Sequence, residues 1–297
     1  MKHKQSSLYL ELAPYKLHIR HLLPNQPMQA PVLMLHGAIE NSRIFYNHSG
    51  KGLGCYLADQ GFTVYCADFA GRGLSKPHVS TGFNQSQQQM ITRDIPALID
   101  YVYQLQQQPL ILIAHSWGGV LAMASLARCP ASAAKVAGIV CFGSKRVISV
   151  QSLERYLKVN LIWNTLAPWL SKKCDYFPAR TLRLGADDEP SQFLQDTVHW
   201  IKGEPFVDLS DNFNYAQASQ QLQWPPVLHF AAKNDRLLGH PNDVKAFIAE
   251  TTPQANFRLL ATSNGYQHNY DHISMLTHPL AVTDHFVELR DWLLQLS

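Results

Sequence analysis

A serine, an aspartate and a histidine each follow an apolar run of this 297-residue chain, and these residue types together suit nucleophilic catalysis. Ser116 and Asp235 come after the runs 110–114 and 227–231, and His272 lies beyond the last run. A serine hydroxyl is a poor nucleophile at neutral pH, so it needs a histidine to take its proton and a carboxylate to orient that histidine. The three residues predict Ser116 as the nucleophile, His272 as the base and Asp235 as the orienting acid.

The residues around Ser116 predict a sharp turn from a strand into a helix. Residues 114–119 are Ala-His-Ser-Trp-Gly-Gly, directly after the apolar run. Small residues two positions before and after the serine let strand and helix approach closely, and the turn then exposes the hydroxyl above the sheet. The usual pattern has glycine where this chain has Ala114, and alanine is nearly as small. A tight turn with no chemical role is the other interpretation.

The orienting acid has competitors in the sequence. Asp235 lies in a polar turn, where an aspartate is also common for reasons of turn geometry alone. Asp187 and Asp188 lie in a separate part of the chain and reach the serine only if that part folds back. Asp271 is adjacent to the candidate histidine, and adjacent side chains point apart, so we expect it to cap a loop.

The base has one competitor, His268, which lies four residues before His272. We expect a helix to begin directly after His272, and a helix start would fix the backbone of that histidine. His268 instead lies in a polar stretch that contains asparagines. The sequence therefore favours His272.

Two backbone N–H groups are needed to bind the oxyanion that forms when a serine attacks a carbonyl, and each contributes about a hundredfold or more to the rate. The residue after the nucleophile, Trp117, is predicted to supply one of them. The other is predicted at Ala38, in the loop that follows residues 32–35 and begins with His36-Gly37. A plain glycine turn is the alternative interpretation of this loop.

Another glycine-containing loop, Gly71-Arg72-Gly73, follows the apolar residues 63–67. A dinucleotide-binding loop needs a third glycine three residues later, where this chain has Lys76, and a helix after it. A nucleotide is therefore not an expected ligand. We expect the loop to shape the wall behind the catalytic residues.

The elements that position these residues alternate between strands and helices. Short apolar runs without the alternation of a half-exposed strand indicate burial on both faces, as in a parallel sheet covered by helices. The predicted strands are residues 32–35, 63–67, 110–114, 136–142, 227–231 and 257–260, after an antiparallel hairpin of residues 8–12 and 16–22. The predicted helices are residues 52–60, 88–107, 118–128, 243–251 and 280–296. The pattern predicts an α/β fold with ligands at the carboxyl ends of the strands.

One interval, residues 144–224, interrupts this alternation. It contains no clear strand, and ten of the 31 aromatic residues lie between positions 151 and 215. We interpret it as a helical cap inserted into a core domain of residues 1–143 and 225–297, with an ordinary packed subdomain as the alternative. An insertion explains why Ser116 precedes the interval while the other two candidates follow it. The glutamine-rich patches 85–89 and 104–108 are expected to be solvated surface.

Composition excludes several classes of protein. The chain is 46% hydrophobic and 16% charged, against about 25% charged residues in an average soluble domain, which excludes a long disordered tail. With a net charge of +3 and no basic cluster, nucleic acid is not an expected partner. Five cysteines without C-x-x-C spacing indicate free, buried thiols, and the absence of a signal peptide or transmembrane run predicts a cytoplasmic protein. No histidine or cysteine spacing indicates a metal site.

Five segments, taken in order, resemble the α/β-hydrolase superfamily over nearly the whole chain outside residues 144–224. The segments are residues 36–37, 68–75, 114–119, 234–235 and 270–272. Within the superfamily, two features resemble the lipase, esterase and lysophospholipase branches. They are Arg72 between two glycines and the tyrosine two positions before His272. The resemblance implies an α/β-hydrolase fold, a mostly parallel sheet with helices on both faces, and a two-step acyl transfer through Ser116, Asp235 and His272 without a cofactor.

The expected reaction is hydrolysis of a small-molecule carboxylic ester that carries an apolar acyl chain or an aromatic group. The aromatic interval and the low charge disfavour sugars and charged substrates. The same three residues also serve thioesterases, carbon–carbon bond hydrolases and acyltransferases, which the sequence does not separate. A non-catalytic binding protein of the same fold is a further alternative, although such proteins usually lack the nucleophile or the histidine.

Overall fold

An antiparallel hairpin opens the sheet, and parallel strands continue it. The computed structural model of the chain describes residues 2–152 and 156–296. Its strands are β1 (His3–Leu12), β2 (Tyr15–Pro24), β3 (Gln29–Leu35), β4 (Phe62–Ala67), β5 (Leu110–His115), β6 (Val136–Phe142), β7 (Tyr176–Phe177), β8 (Glu189–Pro190), β9 (Val227–Ala232) and β10 (Asn256–Leu260). One sheet has the order β1-β2-β4-β3-β5-β6-β9-β10, and β7 pairs with β8 separately. In the large sheet β2 pairs antiparallel with β1 and β4, and the other neighbours pair parallel.

The central strands are buried because helices cover both faces of the sheet. Every residue of β4, β5 and β9 is buried. Successive side chains of a strand point to opposite faces, and alternate residues of β5 accordingly belong to two different apolar cores. Leu112 and Ala114 pack in one core, whereas Ile111 and Ile113 pack in the other. The predicted mostly parallel sheet with helices on both faces is confirmed.

The helices around the sheet agree with the predicted ones in part. They are Leu53–Asp59, Gln87–Gln89, Ile95–Gln106, Trp117–Arg128, Pro130–Ala133, Pro241–Thr251, Ser274–Thr277 and His285–Leu293, with a π-helical turn at Met90–Asp94. The helix predicted over 88–107 is observed as a continuous helical stretch over 87–106, but its hydrogen-bond spacing is π-helical at Met90–Asp94, and Pro96 lacks the N–H that a regular α-helix would use there. The helix predicted over 280–296 begins only at His285, because Asp284 leaves the helical conformation with φ −121° and ψ −121°.

Residues 144–224, called the intervening segment below, join β6 to its neighbour β9. The described helices of this segment are Tyr156–Leu166, which is π-helical, Ala167–Cys174, Ser191–Ile201 and Tyr215–Gln221. The expectation that it contains no strand is wrong, because Phe177 of β7 pairs with Glu189 of β8. Strands of two residues are too short to leave a periodic pattern in the sequence.

Many aromatic side chains of the intervening segment pack against one another. The ring of Trp200 lies 4.8 Å from that of Phe206 and 5.5 Å from that of Tyr215, and all three are buried in one of the two large cores. Tyr156 and Trp169 are instead 58% exposed. The aromatic enrichment therefore reflects a packed subdomain core in part, which was the alternative to a cap lined with aromatics.

All five cysteines are free, as predicted, but only Cys55, Cys66 and Cys141 are buried, while Cys129 is half-buried and Cys174 is exposed. In residues 2–152 and 156–296, no helix combines the length and the apolar character needed to cross a membrane.

Candidate active site

Ser116 lies in a strained turn between β5 and the helix Trp117–Arg128. Its backbone has φ +51° and ψ −126°, a conformation that costs a residue other than glycine about 1–3 kcal/mol. Two glycines make the turn possible. A Cβ at Gly118 would lie 2.3 Å from the carbonyl oxygen of His36, and a Cβ at Gly37 would lie 2.8 Å from Cβ of Ser116. The close packing holds the serine hydroxyl at one position.

The structure brings the three predicted catalytic side chains into one hydrogen-bonded chain. Oγ of Ser116 lies 2.9 Å from Nε2 of His272, and Nδ1 of His272 lies 2.5 Å from Oδ2 of Asp235. With Nδ1–H donating to the carboxylate, Nε2 accepts the hydrogen bond of the serine hydroxyl. Asp235 and His272 are only 3% and 7% exposed. This arrangement suits removal of the serine proton by the histidine.

A short helix begins directly after His272, as expected, and fixes the backbone of that residue. The helix that follows is the single turn Ser274–Thr277. The carboxylate of Asp271 caps it by accepting the N–H groups of Ile273 and Ser274 at 3.0 and 2.7 Å. Asp271 thus caps the loop, while its neighbour His272 faces the serine.

The competing histidine and aspartates have other partners. The ring of His268 stacks on that of His278 at 4.5 Å. Asp187 accepts the backbone N–H of Gly73, and Asp188 accepts the backbone N–H of Arg180 within its own loop. Within the described residues, none of these three competitors forms a hydrogen bond with Ser116.

The surroundings of Asp235 keep its carboxyl group ionised. Burial acts to raise the pKa of this group, but the facing imidazole of His272 and the N–H of Gly239 outweigh it and hold the pKa below its ordinary value. An ionised carboxylate beside Nδ1 stabilises the imidazolium that forms when His272 takes a proton.

The predicted oxyanion donors are unoccupied N–H groups beside the serine. In residues 2–152 and 156–296, neither Ala38 N–H nor Trp117 N–H donates a hydrogen bond to the protein. Trp117 begins a helix, whose first N–H groups have no acceptor within the helix. The N–H groups on either side of Ala38 do have acceptors, since Gly37 donates to Glu40 at 2.9 Å and Ile39 donates to a second buried carboxylate. Ala38 and Trp117 therefore have the free donors that an oxyanion needs.

Two residues without a predicted role, Glu40 and His115, connect the loops around the site. Nδ1 of His115 donates to Oε2 of Glu40 at 2.8 Å, and Nε2 donates to the carbonyl oxygen of His272 at 2.9 Å. Because both ring nitrogens donate, the ring carries a positive charge that Glu40 balances. Burial opposes both charges, but their attraction outweighs it, so the pKa of His115 is raised and the pKa of Glu40 is lowered. The sequence offered two signals for this pair: Glu40 is the acidic residue of the loop that begins with His36-Gly37, and His115 directly precedes the serine.

This pair predicts a pH-dependent contribution to stability. A raised histidine pKa stabilises the folded state fully below the ordinary value of about 6.5, and the effect is lost as the pH rises through the raised pKa. We therefore expect the urea midpoint of the wild type to exceed that of Glu40→Gln most near pH 6 and least near pH 9. His115 faces Glu40, His272 and Asp235, and only Glu40 changes in this variant. A difference that stays constant between pH 6 and pH 9 would contradict the charged pair.

The side chain of Trp117, the residue after the nucleophile, is buried. Its Nε1–H donates to Oε1 of Gln87 at 2.6 Å, and its ring lies 6.3 Å from that of Trp200 and 5.8 Å from Nζ of Lys145. Burial lowers the pKa of Lys145 to about 8. The prediction that residues 85–89 are solvated surface is wrong at Gln85 and Gln87, which are 2% and 3% exposed. Only the folded arrangement of Trp117 reveals its partner, which lies 30 positions away.

The family of the chain follows from a match over most of its length. The sequence profile of the family described as serine aminopeptidase, S33, matches residues 26–268. The chain belongs to this family of α/β hydrolases. The match contains Ser116 and Asp235 and ends four residues before His272. The predicted superfamily is confirmed, and the family agrees with the predicted hydrolase class.

Individual relatives are similar over smaller parts or at lower identity. Triacylglycerol lipase 1 of Arabidopsis thaliana is 29% identical over 115 residues, which are 36% of this chain and 29% of the lipase. Triacylglycerol lipase 2 of the same plant is 28% identical over 102 residues, which are 32% of this chain and 24% of that lipase. The matched regions thus span less than a third of either curated relative.

The fold is similar to that of a solved lipase over nearly the whole length of both chains. A soluble variant of monoglyceride lipase from Saccharomyces cerevisiae, crystallised with a substrate analogue, superposes with a TM-score of 0.72. The alignment covers 99% of this chain and 96% of the lipase at 16% identity. The predicted α/β-hydrolase fold is therefore confirmed.

Proposed function

We propose that the protein is a serine hydrolase that cleaves carboxylic esters through an acyl-enzyme intermediate. The observation that carries the proposal is the 2.9 Å contact between Oγ of Ser116 and Nε2 of His272, with Asp235 at 2.5 Å behind the imidazole. A binding protein of the same fold would have no need for this buried, hydrogen-bonded chain or for a strained serine. The geometry supports catalysis over that alternative.

The reaction begins when Ser116 attacks the ester carbonyl and His272 takes the serine proton. The carbonyl oxygen becomes an oxyanion, which the N–H groups of Ala38 and Trp117 bind. As the carbon–oxygen bond breaks, His272 passes its proton to the leaving alcohol, and the acyl group remains on the serine. Water then attacks with His272 as the base again, which releases the acid and restores the serine hydroxyl. Asp235 keeps the imidazole in the required tautomer throughout.

The proposed substrate is an ester with an apolar acyl chain or an aromatic group. Trp117 directly follows the nucleophile, and its buried ring lies 6.3 Å from the buried ring of Trp200, so apolar surface is available close to the serine, which supports an apolar substrate. The similarity to two triacylglycerol lipases and to a monoglyceride lipase supports the same class. We also propose that the intervening segment serves as a cap over the core formed by residues 1–143 and 225–297, since its carboxylates reach the loops around the serine.

Hydrolysis of p-nitrophenyl esters with acyl chains from acetate to laurate tests the reaction and the substrate class together. We expect the largest kcat/KM at butyrate or a longer chain, because apolar burial stabilises the bound acyl group by about 0.8 kcal/mol per buried methylene. A profile that peaks at acetate, with no activity from butyrate upward, would contradict the apolar substrate. Activity on acyl thioesters without activity on any oxygen ester would instead favour a thioesterase.

A further inference from the structure

The carboxylate of Glu189 belongs to the intervening segment, yet it contacts the oxyanion loop of the core. Oε1 of Glu189 accepts the backbone N–H of Ile39. Oε2 accepts Nε and Nη2 of Arg72 at 3.0 and 2.5 Å. Glu189 is fully buried and Arg72 is 1% exposed, so this ion pair is shielded from water. Three separate parts of the chain meet at one carboxylate.

The residue that Glu189 holds has a strained backbone. Ile39 has φ +52°, in the left-handed region, which a β-branched side chain adopts only when its surroundings impose it. The same stretch of the intervening segment also holds the carbonyl oxygen of Ile39, which accepts the N–H groups of Ala186 and Asp187 at 2.8 and 3.2 Å. A Cβ at Gly185 would lie 2.4 Å from that oxygen. Residues 185–189 therefore clamp both polar groups of Ile39.

The clamp lies directly beside the proposed oxyanion donor. Ala38 N–H belongs to the peptide before that of Ile39, and the peptide of Gly37 on its other side is tied to Glu40 at 2.9 Å. Two buried carboxylates bind the N–H groups on either side of Ala38 and fix the backbone there. The Ala38 N–H itself stays free, and its orientation is set by these flanking contacts. Release of Ile39 would let its backbone relax toward a more favourable φ, and the neighbouring Ala38 peptide would rotate with it.

We propose that Glu189 is a positioning residue for the oxyanion hole, so that the intervening segment holds the Ala38 donor in place by clamping Ile39. The inference rests on the proposed ester hydrolysis, because the oxyanion forms only in that class of reaction. It assigns the intervening segment a part in the rate of the chemical step, in addition to covering the site.

The position of an oxyanion donor affects kcat more than KM. The donor binds charge that is present in the transition state and absent from the bound ester, so its loss lowers kcat and kcat/KM together. Removal of one such donor lowers kcat by about a hundredfold to a thousandfold. For Glu189→Gln, which removes the charge that Arg72 pairs with and weakens the hold on Ile39, we expect a decrease of about tenfold to a hundredfold.

Two variants test the clamp from different sides. Glu189→Gln acts on the N–H of Ile39, whereas Gly185→Ala pushes the segment away from the carbonyl oxygen and leaves the ion pair intact. The matched control is Glu250→Gln. This change removes the carboxylate that pairs with Arg146 of the intervening segment at 2.5 Å, at a place that does not contact the oxyanion loop.

The assay is steady-state hydrolysis of p-nitrophenyl butyrate. Fluorophosphonate labelling of the serine gives the concentration of active enzyme. The inhibition constant of a trifluoromethyl ketone is measured in parallel. We expect both test variants to label fully, to keep KM within about threefold, and to lose kcat and ketone affinity in proportion. The control should keep all three values near those of the wild type. If both test variants keep kcat within twofold of the wild type, or lose it only in proportion to the labelled fraction, the inference is overturned. A wild type that hydrolyses no ester would overturn the proposed function itself, and the inference with it.

Discussion

Ser116→Ala is expected to lower kcat for p-nitrophenyl butyrate by about 10⁴- to 10⁶-fold, since loss of the nucleophile removes the acyl-enzyme route. The free donors of Ala38 and Trp117 remain in the variant and account for the residual rate above that in water. The hydroxyl does not hold the backbone of residue 116 at φ +51°, so we expect the variant to fold and to have a melting temperature near that of the wild type.

Ser144→Ala is the matched control for this variant. Ser144 is fully buried, and its hydroxyl lies against the helix that begins after the nucleophile, 2.1 Å from where a Cβ of Gly119 would be. Loss of this hydroxyl should leave kcat within a few-fold of the wild type. Equal losses in the two variants would show that removal of any serine from this region is damaging, and Ser116 would lose its assigned role.

The second large effect is expected at the base. His272→Ala should lower kcat by about as much as loss of the nucleophile, because the serine then has no group to accept its proton. His268→Ala should keep most of the activity, since its ring stacks on His278 and contacts neither the serine nor Asp235 within the described residues. Both variants are measured with the same ester at pH 8.

The two substituted histidines lie only four positions apart in the chain, so each variant serves as a control for the other. Lost activity in His268→Ala with retained activity in His272→Ala would exchange the roles of the two residues. Added imidazole offers a further test, because a small base that fills the space left by His272 should restore part of the rate in that variant alone.

The strands were predictable because burial on both faces leaves a continuous apolar run. The strand predicted at 136–142 has the observed bounds Val136–Phe142, and the runs at 110–114 and 227–231 each extend by one residue. The helices were less predictable where a local feature interrupts them, such as the π-helical turn at Met90–Asp94. Helical periodicity does not reveal a change in hydrogen-bond spacing within a helix.

The residues around the site were predictable when they follow a strand and unpredictable when their role depends on a distant partner. The positions of Ser116 and Asp235 after β5 and β9 follow from the end of an apolar run. Glu189, in contrast, lies in a segment of helices and short strands, and its contact with Ile39 spans 150 positions. Long-range contacts between polar residues leave no periodic signal, so these partners emerge only in the folded chain.

The central claim, that Ser116 is the nucleophile that carries the acyl group, is tested most directly by covalent labelling. The wild type and Ser116→Ala are incubated with a fluorophosphonate probe, and the labelled peptide is identified by mass spectrometry. The account predicts that the wild type carries one label, on Ser116, and that the alanine variant carries none. Undiminished labelling of the variant, or a label found on another residue of the wild type, would contradict it.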